Sequence, residues 1–196
     1  MFIVLPIFLI IAYLLGSLSS AIIVCKIMGL PDPRTQGSGN PGATNVLRIG
    51  GKQAAIIVLL GDALKGFIPV FLAHILGVNN FALGLVALAA LLGHLYPLFF
   101  NFQGGKGVAT GIGAMFGISF VLGLVAIIVW GVVALISRYV AYASCAAIGV
   151  ATLLSPWITS QYGYFIPLLI ISFLVVWRHQ DNFQRIRAGT EKRIGA

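Results

Sequence analysis

Three polar stretches interrupt an otherwise apolar chain, and each carries side chains suited to holding an anion. The first, Gly37 to Arg48 (GSGNPGATNVLR), combines Gly37, Gly39 and Gly42 with two hydroxyls, Ser38 and Thr44, two amides, Asn40 and Asn45, and the guanidinium of Arg48. Glycines let successive backbone N–H groups point into one concavity, and such nests bind anions. The stretch also leads into an apolar segment whose helix N-terminus adds positive potential. The second, Gly93 to Thr110 (GHLYPLFFNFQGGKGVAT), sets Lys106 among Gly104, Gly105 and Gly107 and predicts a helix directly after them. An ammonium, free amides and a helix dipole would then meet at one phosphate. It is not a nucleotide-binding P-loop, because Phe100 stands where that pattern needs glycine and Gly107 replaces its Ser/Thr. The third, Arg178 to Glu191 (RHQDNFQRIRAGTE), places His179, Asn182 and Arg185 three apart, on one face if helical.

Other chemistry is poorly supplied. The four acids, Asp32, Asp62, Asp181 and Glu191, form no group with metal-ligand spacing, so neither a metal site nor metal-dependent phosphoryl transfer is expected. No Cys–His or Ser–His–Asp arrangement points to a covalent acyl-enzyme, and no His-x-x-x-x-Asp supplies the base of the soluble-type acyltransferases. His94 is open to a structural or a catalytic reading. Asp62 and Lys65, three apart in an apolar run, must pair or face a cavity, and structural and functional roles stay equally open.

The elements that position these groups are membrane spans. Of 196 residues 60% are apolar and only 8% charged, whereas soluble domains carry about a quarter charged residues. Soluble enzymes, disordered tails and disulfide scaffolds are excluded; Cys25 and Cys145 read as buried thiols. No polar segment is long enough to form a nucleic-acid groove, so the net charge of +8 speaks for membrane orientation and anionic ligands. Apolar runs cover 1–25, 53–77, 81–100, 108–136 and 139–177, the last with a turn expected at 155–161. Residues 108–136 amount to roughly 44 Å of helix, too little for two crossings of ~30 Å. As one crossing, that run would put Arg138 and the basic tail on the wrong side; a short or broken hairpin turning near Gly117-Ile118-Ser119 returns them to the cytoplasm. The expected fold is therefore all-α: one polytopic membrane domain over 1–196, about seven transmembrane helices, N-terminus outside and C-terminus cytoplasmic. Six spans is the alternative count.

Together the three stretches resemble the acyl-phosphate:glycerol-3-phosphate acyltransferase family of bacterial phospholipid synthesis, over nearly the whole chain. The resemblance implies a multi-pass plasma-membrane enzyme moving a fatty acyl group from acyl phosphate to the sn-1 hydroxyl of glycerol 3-phosphate, giving lysophosphatidic acid and phosphate. It implies catalytic or substrate roles for Ser38, Arg48, Lys106, His179 and Asn182, and further substrate contacts at Asn40, Thr44, Asn45 and Ser144. One departure is Gln103, where the family pattern has a second Lys.

This chemistry suits the residues. A mixed anhydride has phosphate as leaving group, so no cofactor or covalent nucleophile is required. Each phosphoryl group brings about −1.5 to −2 charges, so cations and N–H donors are needed. Lys106 with the Gly104–Gly107 amides, Arg48 and His179 would hold glycerol 3-phosphate. Ser38, the amides of the first stretch and Asn182 would hold the acyl-phosphate head and its developing oxyanion. The acyl chain would lie in a groove open to lipid. The hydroxyl proton would go to His179 or to a substrate phosphate, with the second favoured. A transporter of a phosphorylated metabolite and a noncatalytic anchor for a lipid-synthesis partner are the alternatives; docking of a soluble acyl-phosphate synthase is left open.

Overall fold

Backbone N–H and C=O groups in hydrocarbon must be satisfied within the chain, so apolar runs of this length become helices. A computed structural model describes residues 4–195, and every regular element among them is helical. The expectations for residues 1–3 and 196, the ends of the first run and of the single domain, lie outside the described residues.

The first run, expected as one continuous span, is two helices, α1 (Val4–Gly16) and α2 (Ser20–Ile27), bent by 42°. The break has local causes. Ser17 Oγ turns back to the Tyr13 carbonyl at 2.8 Å, the Ser19 side chain accepts from Ile22 N at 3.5 Å, and the Leu18 carbonyl accepts from Lys65 Nζ at 2.8 Å. Helix α3 (Ala43–Ile75) begins inside the first polar stretch, earlier than the expected Gln53, and is interrupted at Gly51, whose φ of 80° is open to glycine. Then come α4 (Asn80–Leu95), a 3₁₀ turn (Leu98–Phe100), α5 (Val108–Ile118), α6 (Phe120–Ser137), α7 (Val140–Thr159), α8 (Phe165–Trp177) and α9 (Gln180–Arg187).

The predicted hairpin is present. It turns at Ser119, and α5 is its short arm, about 16 Å long from 11 residues. Helices α3, α4 with its 3₁₀ extension, α6 and α7 are each long and apolar enough to cross a membrane, and α1–α2, counted as one bent span, bring that number to five. With the shorter α5 and α8, seven apolar segments result. The turn expected at 155–161 comes later, because α7 runs through Pro156 to Thr159. Proline lacks the N–H that would reach the Thr152 carbonyl, and Ser155 Oγ takes that carbonyl instead at 2.8 Å.

Close packing relies on small residues, as expected where lipid tails offer helices no hydrophobic advantage. A Cβ at Gly66 or Gly113 would overlap the backbone of Thr110 or Ala63, which brings α3 and α5 into direct backbone contact. Gly16 and Gly93 do the same between α1 and α4. Leu83, Leu91, Met115, Leu122, Ile148 and Leu168 fill the centre, whereas Ile10, Leu135, Ile136 and Phe173 point outward. The loops at one end, 76–79 and 160–164, carry no charge, and all three polar stretches sit at the other end.

Candidate active site

The first stretch is shaped by Asn45, in the first turn of α3. Its Oδ1 accepts from Ser38 N at 2.8 Å, and its Nδ2 donates to the Pro33 and Gln36 carbonyls at 2.8 and 2.9 Å. Gly37, with φ +62°, leaves room for that amide; a Cβ there would overlap Asn45 Oδ1. Asp32 and Arg34 close the loop's outer rim at 2.6 Å, and this contact holds the Asp32 carboxyl below its ordinary range. Asn45 is thus engaged by loop backbone, and it lines the cavity together with Ser38, Asn40, Thr44 and Arg48.

In the second stretch the glycines serve close approach. A Cβ on Gly104 would enter the His94 and Leu95 carbonyls, and one on Gly105 would meet the His94 ring and the Pro41 carbonyl. The Gly105 N–H, expected to face phosphate, donates to the His94 carbonyl at 3.2 Å. The carbonyls of Gly104 and Gly105 face Arg178, which donates to them at 2.8 and 3.2 Å. Gly107, with φ +83°, turns the chain into α5, so the predicted helix does follow Lys106 at once.

The third stretch meets the second at a further bond, in which Lys106 Nζ donates to Asn182 Oδ1. Asn182 Nδ2 donates to Glu191 Oε1 at 2.8 Å, and Arg185 Nε donates to Glu191 Oε2 at 2.6 Å. His179, 2% exposed, donates its Nδ1 proton to the Val175 carbonyl at 2.7 Å. That contact fixes the tautomer and leaves Nε2 as an acceptor. Ser144 lines the cavity from α7 and accepts from Trp130 Nε1 at 3.3 Å.

Two connected hollows result. A cavity of about 450 Å³ has Ser38, Asn40, Thr44, Arg48, Lys106, Ser144, His179 and Asn182 at one end and Leu59, Leu60, Ile112, Phe116 and Ile127 along the other. A smaller hollow of about 320 Å³, lined by Gly39, Gly104, Arg178, Asp181 and Arg185, shares Ser38, Asn40 and Lys106 with it. Burial, reinforced by Arg185 and Arg178 and opposed by Glu191 and Asp181, brings Lys106 down to about 8. Burial also brings His179 down to about 4, against the partial support of its bond to Val175. His179 is therefore a neutral acceptor near pH 7.

Sequence reasoning overlooked Arg178, Glu191 and Trp130. Arg178 opens the RHQDN stretch, and Glu191 closes RAGTE. Their signal was an acid and a base bracketing the third polar stretch, but their partners, loop carbonyls and an amide, leave no trace in spacing.

The family model described as glycerol-3-phosphate acyltransferase matches residues 6–189. The chain belongs to that family. A glycerol-3-phosphate acyltransferase of Coxiella burnetii (strain Dugway 5J108-111) is 53% identical over 95% of this chain and 96% of its own. One from Idiomarina loihiensis is 49% identical over 92% and 91%. The crystal structure of PlsY, an integral membrane glycerol 3-phosphate acyltransferase, in its glycerol 3-phosphate form superimposes with a TM-score of 0.92 at 40% identity, covering 97% of this chain and 96% of that one. Its lysophosphatidic acid form gives 0.89 at 38% identity, covering 97% and 95%. This acyltransferase is an all-helical integral membrane protein of phospholipid biosynthesis, and the transporter alternative gains nothing from these likenesses.

Proposed function

We propose that this acyltransferase moves a fatty acyl group from acyl phosphate to the sn-1 hydroxyl of glycerol 3-phosphate, at the cytoplasmic face of the bacterial plasma membrane, within one domain over 1–196. One observation carries the reading: a single cavity joins a cationic, hydroxyl- and amide-rich end to an apolar groove between spans. A phosphorylated polar head and a fatty chain need such neighbours. The uncharged loops at the opposite end support the cytoplasmic orientation.

The hydroxyl oxygen of glycerol 3-phosphate attacks the acyl carbonyl carbon, the bond from that carbon to the phosphate oxygen breaks, and orthophosphate leaves. Lys106, Arg48 and Arg185 neutralise the phosphates, and Ser38 and Asn182 face the carbonyl oxygen as negative charge develops there. The hydroxyl proton passes to a phosphate oxygen. A phosphate monoester holds its second proton with a pKa near 6, above the value of about 4 for His179. His179 Nε2 then orients the glycerol by accepting from its other hydroxyl, at sn-2. No step needs a cofactor or metal, and a soluble acyl-phosphate synthase delivering the donor is the partner this chemistry invites.

Incubating the purified protein in detergent with acyl phosphate, glycerol 3-phosphate and chelator should yield lysophosphatidic acid and orthophosphate by mass. Acyl transfer only from acyl-CoA or acyl carrier protein would replace the donor, and activity lost to chelator would bring in a metal.

A further inference from the structure

We infer that the buried pair Asp62–Lys65 of α3, which the reaction above does not use, is a positioning device that sets the glycine-rich loop and hence Lys106. Lys65 Nζ lies 2.8 Å from Asp62 Oδ1 and donates to the Leu18 carbonyl at 2.8 Å, so it ties α3 to the break in the first span. Asp62 Oδ1 lies 3.7 Å from His94 Nδ1, which is hydrogen-bonded to Thr110 Oγ1 at 3.1 Å. Asp62, Lys65, His94 and Thr110 are 3, 7, 6 and 0% exposed. Charges in hydrocarbon are costly and need a reason to be there.

The far end of this chain of contacts supplies that reason. The His94 carbonyl receives the Gly105 N–H, and the His94 ring packs where a Gly105 Cβ would stand, beside the Pro41 carbonyl of the first stretch. Thr110 sits in the first turn of α5, just after Lys106. The pair thus fixes His94, and His94 fixes the loop from below while Thr110 fixes it from behind. Asp62 and His94 also border the substrate cavity, so any tilt of the ring reaches Lys106 through a single intervening residue.

The inference rests on the proposed reaction, and the test separates the two. A double variant Asp62→Asn/Lys65→Met removes both charges together and avoids stranding one of them. Its thermal transition in detergent should lie near wild type. Half-saturation by glycerol 3-phosphate, and the Kd for radiolabelled glycerol 3-phosphate without donor, should each rise tenfold or more, with kcat falling less than threefold. A double variant with wild-type half-saturation and Kd overturns the inference while wild-type turnover leaves the reaction standing. Should the double variant not fold, Thr110→Val, which cuts only the last link, decides: a three- to tenfold rise in the same two constants is expected, and unchanged constants overturn the inference. No transfer by the wild-type protein would instead strike the proposed reaction.

Discussion

Lys106 and Asn182, 76 residues apart, meet in one hydrogen bond, the ammonium donating to the amide oxygen. The bond continues through Asn182 Nδ2 to Glu191 and from Glu191 to Arg185. Two cations at a phosphate site would repel; an amide and a carboxylate between them hold both in place. Asn182 is oriented from both ends, and its Oδ1 is the acceptor that keeps Lys106 aimed into the cavity. Lys106→Ala should therefore lower kcat/KM about 10²–10³-fold, as for loss of one preorganised donor. Asn182→Ala should do nearly as much, and the double variant should cost little more than either alone, because the two act as a unit. Steady-state assays of orthophosphate release check this; additive losses would separate the residues.

Alkaline pH reads out Lys106 directly. Its pKa of about 8 means that the site loses a cation as pH rises through 8, so half-saturation by glycerol 3-phosphate should climb there. Lys106→Arg, charged throughout, should flatten that limb whatever it costs in kcat. A wild-type profile level to pH 9.5 would contradict the assignment.

Acid acts on stability through His179. Its folded pKa, about 4, lies below the 6.5 of an ordinary imidazole. The unfolded chain therefore binds more protons between those values, and stability falls as pH drops from 6.5 to 4. The loss is of the order of 3 kcal/mol. His179→Gln, which has no such proton, should show a shallower decline in melting temperature across that window.

How far the sequence reaches is visible in particular residues. Hydropathy and basic-residue counting anticipate the helices, the hairpin at Ser119 and the gathering of the three polar stretches, because each follows from the hydrocarbon environment alone. The bend at Ser17–Ser19 and the passage of α7 through Pro156 depend on single hydroxyls and on Lys65 from another helix. Periodicity carries no record of those. Asn45 and Gly105 lie in the expected stretches, but the loop backbone groups that they bond could not be anticipated. Which way a polar group faces is decided by packing, which spacing does not encode.

The glycines divide accordingly. Gly104→Ala should damage both folding and activity, by about 1–3 kcal/mol in stability, since its Cβ would enter the backbone of His94 and Leu95. Gly149, inside α7 with open space around it, should gain about 0.5–1 kcal/mol as alanine with kinetics unchanged. Melting curves in detergent beside turnover would show whether the two part company.

Arg178 supplies the remaining prediction. Its guanidinium donates to the Gly104 and Gly105 carbonyls on the face of the loop opposite His94, so the loop is gripped from two sides. Bonds from a charged donor contribute about 1.5–3 kcal/mol, and the fork that reaches two carbonyls belongs to arginine alone. Arg178→Lys keeps the charge and loses the fork; Arg178→Gln loses both. If Arg178 acts by long-range attraction for phosphate, lysine should restore function. If it acts by holding the loop, lysine should be nearly as poor as glutamine, with half-saturation for glycerol 3-phosphate raised about tenfold in both. The two short distances to the loop carbonyls favour the second outcome, and near-wild-type kinetics for Arg178→Lys would return the residue to a purely electrostatic role.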